Sequence, residues 1–411
     1  MARRLRRMPM LERPISKAGW TRVAFGDVVR LSKARVADPE AAGIERVVGL
    51  EHIDPGDLRI RRWGDVADGT TFTTLFKPGQ VLFGKRRAYQ RKVAVADFEG
   101  VCSGDIYVLE PANDRLMPEL LPFLCQTDAF FDHAVGTSAG SLSPRTNWTS
   151  LASFEFLLPP IQVQARIVGT LHALRETSEA YFSAAIHLEA LNTSLMAEQL
   201  LQIEAAGKVA EQPIDLFGFH GQPVLKTGPF GSSLKTSYFI ESGVPVITIG
   251  SITEHGLDHS DFFFVSQSIA ERFSEYRCEP GDIVFSRVAD VGRCHVITDD
   301  ERGFIISSNL IRIRVDPAKV MPMYLWLTLK YSLSLRRKIS AITTQAAGRL
   351  LVNTQTMHLL NFSVPDIQTQ RLLIETFNSL KVDRKKINSR RAQVKSLSER
   401  LLAQSLYGAE Q

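Results

Sequence analysis

One stretch of the chain occurs twice: KPGQVLFGK at residues 77–85 returns 202 residues later as EPGDIVFSR at 279–287. In both copies an apolar run follows a Pro-Gly turn, which predicts a β-strand. Three further pairs keep the same order: VVGL (47–50) with VITI (246–249), MP (117–118) with MP (321–322), and PPIQVQ (159–164) with PDIQTQ (365–370). Four matches in one order indicate that the chain consists of two copies of one unit.

Each copy ends in a long stretch without proline, at residues 162–204 and 368–406. Apolar residues recur there at steps of three and four over about 35 residues, which predicts long helices with a coiled-coil seam. Hydrophilic residues interrupt the seams, and we expect them to fix the register of the helices; they are Ser178, Asn192, Arg384 and Arg391. The predicted seam residues are Ile167, Leu171, Leu174, Tyr181, Leu188, Leu195, Leu373, Phe377, Leu380, Ile387, Val394 and Leu401.

The charges of the two stretches predict which helix pairs with which. Residues 161–207 hold two basic and five acidic residues, whereas 366–411 hold nine basic and five acidic residues. Opposite net charge favours an antiparallel pair within one chain over pairing of either helix with its own copy. The alternative is that each helix lies on its own globular domain as a solvated arm.

These patterns predict an α+β chain with pseudo-two-fold symmetry. Two similar globular α/β domains, 1–158 and 208–364, are separated by two long helices, 159–207 and 365–411, that form an antiparallel coiled coil. About 40 helical residues at about 1.5 Å each would give a rod of about 60 Å, with a globular part at either end. The ligand that suits such an arrangement is duplex DNA, whose half-sites recur at each turn of about 34–36 Å.

Composition limits the class of protein. With 44% hydrophobic and 23% charged residues the 411-residue chain is an ordinary globular protein. It has no apolar run long enough to span a membrane and no apolar segment behind its basic N-terminus, so neither a membrane protein nor a secretory signal is expected. The four cysteines form no CxxC pair, which argues against a disulfide scaffold or zinc ribbon and favours the cytoplasm. The net charge of +5 permits a nucleic-acid partner.

Motifs of catalysis are weak in this sequence. The GTSAG segment (136–140) matches G-x-S-x-G, but a proline-containing loop follows it where a nucleophile elbow requires a helix. The TGPFGSSLK segment (227–235) lacks the GxxxxGK[ST] pattern of a phosphate-binding loop. The histidines and cysteines show neither HExxH nor another metal-ligand spacing. We therefore expect neither a catalytic residue nor a metal site.

A cluster of cations offers a positive signal. The segment KRRAYQRK (85–92) places five cations and one aromatic residue after a predicted strand, and Arg287 and Arg293 occupy the corresponding part of the second copy. Such a cluster suits a phosphate backbone and base edges. The alternative is a solvated turn, but its recurrence at the equivalent place favours nucleic acid.

With these motifs the chain resembles the specificity subunit of type I restriction-modification enzymes. The resemblance covers about residues 20–406 and is carried by five segments: GPFGSSLKTSYFIESGVPVITIGSI (228–252), EPGDIVFSRVADVGR (279–293), KPGQVLFGKRRAYQRKVAV (77–95), LPPIQVQARIV (158–168) and VPDIQTQRLLI (364–374). The family usually has Glu-Gln at the helix start, where this chain has Val163-Gln164 and Thr369-Gln370. It usually has two prolines where this chain has Pro365-Asp366.

The resemblance implies a function. Each globular part would be a target recognition domain for one half of a split sequence in double-stranded DNA, and the helices would set the distance between the halves. The chain would have no activity of its own and would recruit two methyltransferase subunits and the restriction/motor subunits. S-adenosylmethionine and ATP would bind to those partners, and this chain would carry no cofactor.

The candidate DNA-binding residues follow from the two cation clusters, the Gly/Ser loop and the small-residue loops. They are Lys85, Arg86, Arg87, Tyr89, Arg91, Lys226, Ser232, Ser233, Lys235, Arg287 and Arg293, with Ser141, Arg145, Gln345 and Arg349 in the loops. Two alternatives stay open. A standalone DNA-modifying enzyme would need an NPPY-like tetrapeptide or an acidic metal cluster, and neither is present. A structural coiled-coil scaffold would join proteins without reading DNA.

Overall fold

A computed structural model describes residues 17–206, 210–229, 233–254, 256–346 and 348–406. The chain folds into two compact units, one comprising residues 17–182 with 389–406 and the other comprising 183–388. Ten α-helices lie in the described residues: α1 Phe25–Val28, α2 Leu121–Leu124, α3 Asp128–Gly136, α4 Trp148–Ala152, α5 Ile161–Ala205, α6 Gln267–Arg272, α7 Pro322–Tyr331, α8 Leu333–Ile342, α9 Thr354–Met357 and α10 Ile367–Leu406. Within this described part, no helix is long and apolar enough to cross a membrane.

The strands are short in both units. Those of the first unit are β1 Thr21–Ala24, β2 Val29–Leu31, β3 Arg46–Val48, β4 Gly64–Asp65, β5 Thr74–Phe76, β6 Val81–Gly84, β7 Val93–Val95, β8 Gly100–Cys102, β9 Ile106–Pro111 and β10 Glu155–Leu158. Those of the second are β11 Glu211–Pro213, β12 Leu225–Thr227, β13 Phe239–Ile240, β14 Val244–Ile247, β15 Ile252–Thr253, β16 Gly256–Leu257, β17 Phe263–Val265, β18 Ile283–Ser286, β19 Cys294–Val296, β20 Ile305–Ile306, β21 Leu310–Ile313, β22 Thr344–Ala346, β23 Arg349–Leu351 and β24 Asn361–Ser363.

The sheets confirm the duplicated fold. The order β2-β9-β6-β7 in the first unit corresponds to β12-β21-β18-β19 in the second, and every neighbouring pair is antiparallel. A second sheet in each unit contains one parallel pair, β3 with β8 and β14 with β20. These pairs contain the repeated segments at 47–48 and 246–247, so the weakest sequence match also marks equivalent strands. The second sheets differ at their edges, with orders β4-β3-β8-β5 and β13-β17-β14-β20.

The repeated Pro-Gly turn has the same backbone in both units. Gly79 has φ 88° and Gly281 has φ 90°, a conformation that glycine adopts without the steric cost of a Cβ atom. The Gly79 amide donates to the Ala96 carbonyl and the Gly281 amide to the Ile297 carbonyl, both at 2.9 Å. Each turn therefore delivers the chain into a fully buried strand, β6 or β18.

A buried glutamine explains why the Met-Pro segments repeat together with the helix starts. Gln164 on α5 accepts a hydrogen bond from the Met117 amide at 2.8 Å and donates to the Arg115 and Pro159 carbonyls at 2.7 and 2.8 Å. Gln370 on α10 accepts from the Met321 amide and donates to the Pro365 carbonyl, each at 2.8 Å. Each glutamine thus ties the first turn of a long helix to the globular part that precedes it.

The long helices are antiparallel, as predicted. In the first unit the Arg391 guanidinium lies 4.4 Å from the ring centroid of Phe182, and in the second unit Glu189 pairs with Arg384. From the first contact to the second, the residue number rises by seven on α5, from 182 to 189, and falls by seven on α10, from 391 to 384. The two helices therefore run in opposite directions. Two predicted hydrophilic seam residues, Arg384 and Arg391, therefore make contacts between the helices.

The predicted seam residues are more enclosed than the outer faces of the helices. Four of them are buried: Ile167, Leu171, Leu373 and Phe377. Eight are partly buried: Leu174, Tyr181, Leu188, Leu195, Leu380, Ile387, Val394 and Leu401. The core of the first unit contains Leu402 with the first turns of α5, and the core of the second contains Met196 and Leu200 with the first turns of α10. In both units the helix pair thus continues the core of the globular part.

Candidate nucleic-acid interface

The cation-rich segment of the first unit connects β6 to β7, and we call residues 85–92 the first turn. Arg87 and Arg91 have φ 54° and 56°, a left-handed backbone that side chains other than glycine rarely adopt. Between them residues Ala88–Gln90 form a 3-10 turn, and the side chain of Ala88 is buried in the core. The turn therefore has a defined backbone conformation. This conformation fixes the positions of the Cα atoms from which its cationic side chains project.

A second segment lies against the first turn, and we call residues 139–145 the first loop. Ala139 and Arg145 close this loop with two main-chain hydrogen bonds of 3.0 and 2.9 Å. The Arg87 amide donates to the Pro144 carbonyl at 2.7 Å, and the Arg86 and Arg87 guanidinium groups donate to Ser143 Oγ at 3.0 and 3.2 Å. The structure thus brings together two segments that the sequence analysis selected separately.

One carboxylate holds this arrangement in place. Asp105 accepts from Arg145 Nε at 2.9 Å and from Arg86 Nη1 at 3.2 Å. Burial raises the pKa of Asp105, but the hydrogen bonds from Arg145 and Arg86 outweigh it, and the pKa lies below its ordinary value. Two guanidinium groups, of Arg86 and Arg145, therefore share one negative charge, and a third, of Arg87, is held beside them by Ser143. The local excess of positive charge and the remaining N–H donors suit phosphate oxygens.

Two other cations of the first turn lie over aromatic rings. Lys85 Nζ is 4.7 Å from the ring centroid of Tyr107. The Arg91 guanidinium pairs with Asp128 and lies 4.7 Å from the ring centroid of Phe131. Both cations are thus held by cation–π contacts, and the side chain of each is partly exposed to solvent.

The second unit builds the same main-chain arrangement, with residues 287–293 as the second turn. The Arg287 amide donates to the Asn309 carbonyl at 3.0 Å, just as the Lys85 amide donates to the Asp105 carbonyl at 3.0 Å. Residues 85 and 287 are therefore equivalent, as the repeated segments predict, and so are 105 and 309. The carboxylate that holds arginines in the first unit is an amide in the second.

The left-handed residue also recurs. Ala289 has φ 63° and occupies the position that corresponds to Arg87. Its amide donates to the Leu350 carbonyl at 2.9 Å, as the Arg87 amide does to Pro144. Leu350 belongs to the β22–β23 hairpin, so this hairpin takes the place of the first loop.

The side chain of Arg287 connects the second turn to its neighbours. Its Nε donates to the Val352 carbonyl at 3.1 Å and its Nη1 to the Ser308 carbonyl at 3.2 Å. Burial lowers the pKa of this guanidinium. Arg293 instead pairs with Asp290 at 2.6 Å and donates to the Ile252 carbonyl at 3.3 Å, and its side chain is 45% exposed. Arg287 thus stabilises the turn and the hairpin, while Arg293 lies at the surface.

Lys226 belongs to a different set of contacts. It lies on β12 opposite Arg312, its Nζ donates to Glu275 Oε2 at 2.6 Å, and it is 5.1 Å from the ring centroid of Tyr276. The hydrogen bond from Lys226 lowers the pKa of Glu275. The remaining predicted side chains in the described ranges are exposed, and Ser232 lies outside the described residues. The exposed ones are Tyr89, Ser141, Ser233, Lys235, Gln345 and Arg349.

Asp105 and Ser143, the two acceptors of the arginine cluster, are not among the residues predicted from the sequence. Ser143 carries no signal in the sequence, because its role depends on a fold that joins residues far apart in the chain. Asp105 carries one. The segments SGDI (103–106) and SSNL (307–310) each end at the first residue of a strand, β9 or β21, with an offset of 204 residues. Extension of the repeat comparison to these segments would have selected positions 105 and 309.

Two features bear on catalysis and metal binding: the metal-ligating residue types and the serine of the G-x-S-x-G match. Across the ranges that the structure describes, no group of three or more His, Cys, Asp and Glu side chains is placed to hold a metal ion. Ser138 follows α3 and its hydroxyl donates to the Ala134 carbonyl at 2.7 Å. The G-x-S-x-G match therefore lacks the strand that a nucleophile elbow requires.

Comparison with known proteins gives three findings. The profile of the family described as Type I restriction modification DNA specificity domain matches residues 226–395. The specificity subunit of the type I restriction enzyme EcoDI from Escherichia coli is 30% identical over 142 residues, which are 34% of this chain and 31% of that protein. The match thus spans about a third of the length of this relative.

Two solved structures share the fold. One comes from a study of complex assembly and conformational transition in a type I restriction-modification system; it has a TM-score of 0.57 and 18% identity, with 94% of this chain and 97% of that chain covered. The other is the type I system S subunit from M. genitalium, with a TM-score of 0.50, 14% identity, and 94% and 96% covered. Residues 226–395 are thus similar to the type I restriction modification DNA specificity domain, and the duplicated fold is shared with these two solved structures over most of their length.

Proposed function

We propose that the chain is the DNA specificity subunit of a type I restriction-modification complex and that each globular part reads one half of a split target. The observation that carries this proposal is the turn built twice on the same sheet. In each unit a strand ends in an arginine-bearing turn whose main chain is fixed to a second, exposed segment. A positively charged, preorganised surface present in two copies suits a ligand with two similar sites, and a bipartite duplex is such a ligand.

In this mechanism the chain acts by binding. Arg86, Arg87 and Arg145 would contact phosphates and set the position of the first domain, because guanidinium groups already held by Asp105 or Ser143 lose little freedom on binding. Exposed side chains beside them, such as Tyr89 and Ser141, would reach base edges. The corresponding surface of the second unit would use Arg293, Gln345 and Arg349. The antiparallel helices would fix the gap between the half-sites.

The partners are part of the proposal. The chain would recruit two methyltransferase subunits and, with them, the restriction/motor subunits, whereas this chain would be non-catalytic. S-adenosylmethionine and ATP would bind to those subunits. The match of residues 226–395 to the type I specificity domain supports this arrangement, and so does the shared fold with a structure from a study of complex assembly in a type I system.

The experiment is methylome sequencing of cells that carry this chain with its cognate methyltransferase. We expect one bipartite methylated sequence, and replacement of residues 1–158 by the corresponding part of another specificity subunit should change only one half of it. If the replacement changes the bound proteins but leaves the methylated sequence as it was, the scaffold alternative is correct. If purified chain methylates or cleaves DNA without added subunits, the enzyme alternative is correct.

A further inference from the structure

One segment of the first globular part, residues 54–62, packs on the long helices. Arg61 is its central residue: Nε donates to Asp57 Oδ2 at 2.6 Å and Nη2 donates to Glu179 Oε1 on α5 at 2.7 Å. The same guanidinium lies 4.8 Å from the ring centroid of Phe182, one turn further along α5. Arg61 thus contacts two successive turns of the helix while a carboxylate of its own segment holds it.

The contact extends to the other helix. The Arg391 guanidinium of α10 lies 4.4 Å from the ring centroid of the same Phe182. A single ring is therefore shared between a cation of the globular part and a cation of α10. Arg59 adds a longer ion pair to Glu179, at 3.9 Å. Arg61 consequently connects the first globular part to both members of the helix pair.

The environment of Arg61 makes these contacts stronger than ordinary surface ion pairs. The side chains of Arg61, Asp57 and Glu179 are 27%, 24% and 33% exposed. Exposed single pairs contribute little because water screens them, whereas a partly buried guanidinium shared by two carboxylates forms a network with fixed geometry. Burial lowers the pKa of Arg61, but hydrogen bonds to Glu179 and Asp57 outweigh it, so the pKa is raised.

The second copy of the unit lacks this arrangement. The offset of 206 residues that relates Gln164 to Gln370 places Lys385 and Asn388 at the positions of Glu179 and Phe182. A lysine has the opposite charge to Glu179 and an asparagine has no ring, and both are exposed on α10. The attachment through Arg61 is therefore a feature of the first copy, added to the duplicated fold.

We propose that Arg61 is a positioning residue that holds the first target recognition domain in one orientation on the helix pair, and that it thereby narrows the range of gap lengths the chain accepts between its two half-sites. This inference rests on the proposed function, because gap length has meaning only for a bipartite target. Without Arg61 the domain keeps its own fold and its DNA surface. It loses the contact that fixes its angle to the helices, so half-sites one base pair too close or too far are accepted more readily.

The test uses the complete chain with its methyltransferase subunits and a library of the two half-sites separated by gaps from three base pairs shorter to three longer than the native one. We expect Arg61→Ala to reduce the preference for the native gap over its neighbours by about tenfold. This factor corresponds to about 1.4 kcal/mol, near the lower end for hydrogen bonds between charged groups. The half-site sequences read from the same library should not change.

Arg62→Ala is the matched control. Arg62 is adjacent, carries the same charge and pairs with Asp54, and the side chains of these two residues are 60% and 45% exposed. Loss of Arg62 removes one positive charge without loosening the contact with α5, so overall affinity and salt dependence should match those of Arg61→Ala while the gap profile stays native. Equal gap profiles for the two variants would overturn the proposal.

A conservative variant and a double mutant complete the design. Arg61→Lys keeps the charge but cannot hold both carboxylates, so it should broaden the gap profile in the same direction even if Arg61→Ala does not fold. Glu179→Ala should broaden it too, and the double variant should be no broader than either single one. An unchanged profile in Arg61→Lys and Glu179→Ala would refute the inference. If the native chain with its methyltransferase subunits methylates no bipartite sequence in the library, the proposed function is wrong, and the result does not bear on Arg61.

Discussion

Replacement of Gln164 by leucine tests the physical argument for the helix starts. Gln164 is fully buried, and its amide group satisfies one N–H and two carbonyl groups of the main chain. Leucine has a similar volume but leaves the Met117 amide and the Arg115 and Pro159 carbonyls without partners. A buried polar group that loses its partner costs about 1–3 kcal/mol. Because such costs are not additive, we expect Gln164→Leu to reduce the local free energy of unfolding by about 3–6 kcal/mol.

Hydrogen exchange measured by mass spectrometry is the appropriate assay, because it reports local opening in a chain with two units. Exchange should accelerate in peptides that cover residues 112–125, which contain the Met117 amide. The matching change in the second unit, Gln370→Leu, removes two hydrogen bonds and should cost about 2–4 kcal/mol around Met321.

Gln162→Leu is the control for this prediction, because Gln162 lies exposed on the same turn of α5. An exposed substitution of this kind changes stability by about 0.5 kcal/mol or less. If Gln164→Leu and Gln162→Leu gave the same exchange at residues 112–125, the buried glutamine would not hold the helix start, and the explanation of the repeated Met-Pro segments would be wrong.

Three further predictions concern the two turns and the residues packed against them. Arg349→Ala should lower the slope of log affinity against log salt by about 0.9 without changing the melting temperature, as loss of one phosphate contact requires; an unchanged slope would remove this residue from the interface. The depressed pKa of Asp105 means that its stabilising effect is present above its ordinary pKa and is lost as pH falls through the lower folded value. Asp105→Asn should abolish this acid-dependent step in hydrogen exchange of residues 139–145, and a step that persists would contradict the assignment. Ala289→Gly should raise stability by about 0.5–1 kcal/mol in thermal unfolding, since glycine relieves the left-handed backbone; destabilisation would show that the strain is absent.

Local patterns in the sequence predict the fold well. The Pro-Gly turns, the apolar runs after them and the three-and-four spacing of the seam depend on residues close in the chain, and each appears in the structure as a turn, a strand or a helix face. The ion pair of Glu189 with Arg384 agrees with the opposite charges of the two stretches. Duplication makes these predictions firmer, because a weak sequence pattern that occurs at equivalent positions of both copies is supported twice.

The candidate site is harder to predict from the sequence than the fold. The cations of the first turn can be selected by residue type, and Asp105 by extension of the repeat, but Ser143 cannot, because it reaches Arg86 from 57 residues away through the fold. Likewise Lys226 was grouped with Arg287 by composition, whereas the fold places it beside Glu275 and Tyr276. Contacts of this kind depend on the tertiary packing of strands and loops, which composition does not encode.

The equivalence of Arg87 and Ala289 has a consequence for how such a chain could acquire new specificity. Both copies retain an unfavourable left-handed backbone at the same point although neither has glycine there. Next to it, an aspartate in one copy corresponds to an asparagine in the other, and a closed loop corresponds to a hairpin. The two copies thus share main-chain geometry at this point while their side-chain chemistry differs. Variation in the exposed groups can alter what is recognised while the frame that presents them stays the same.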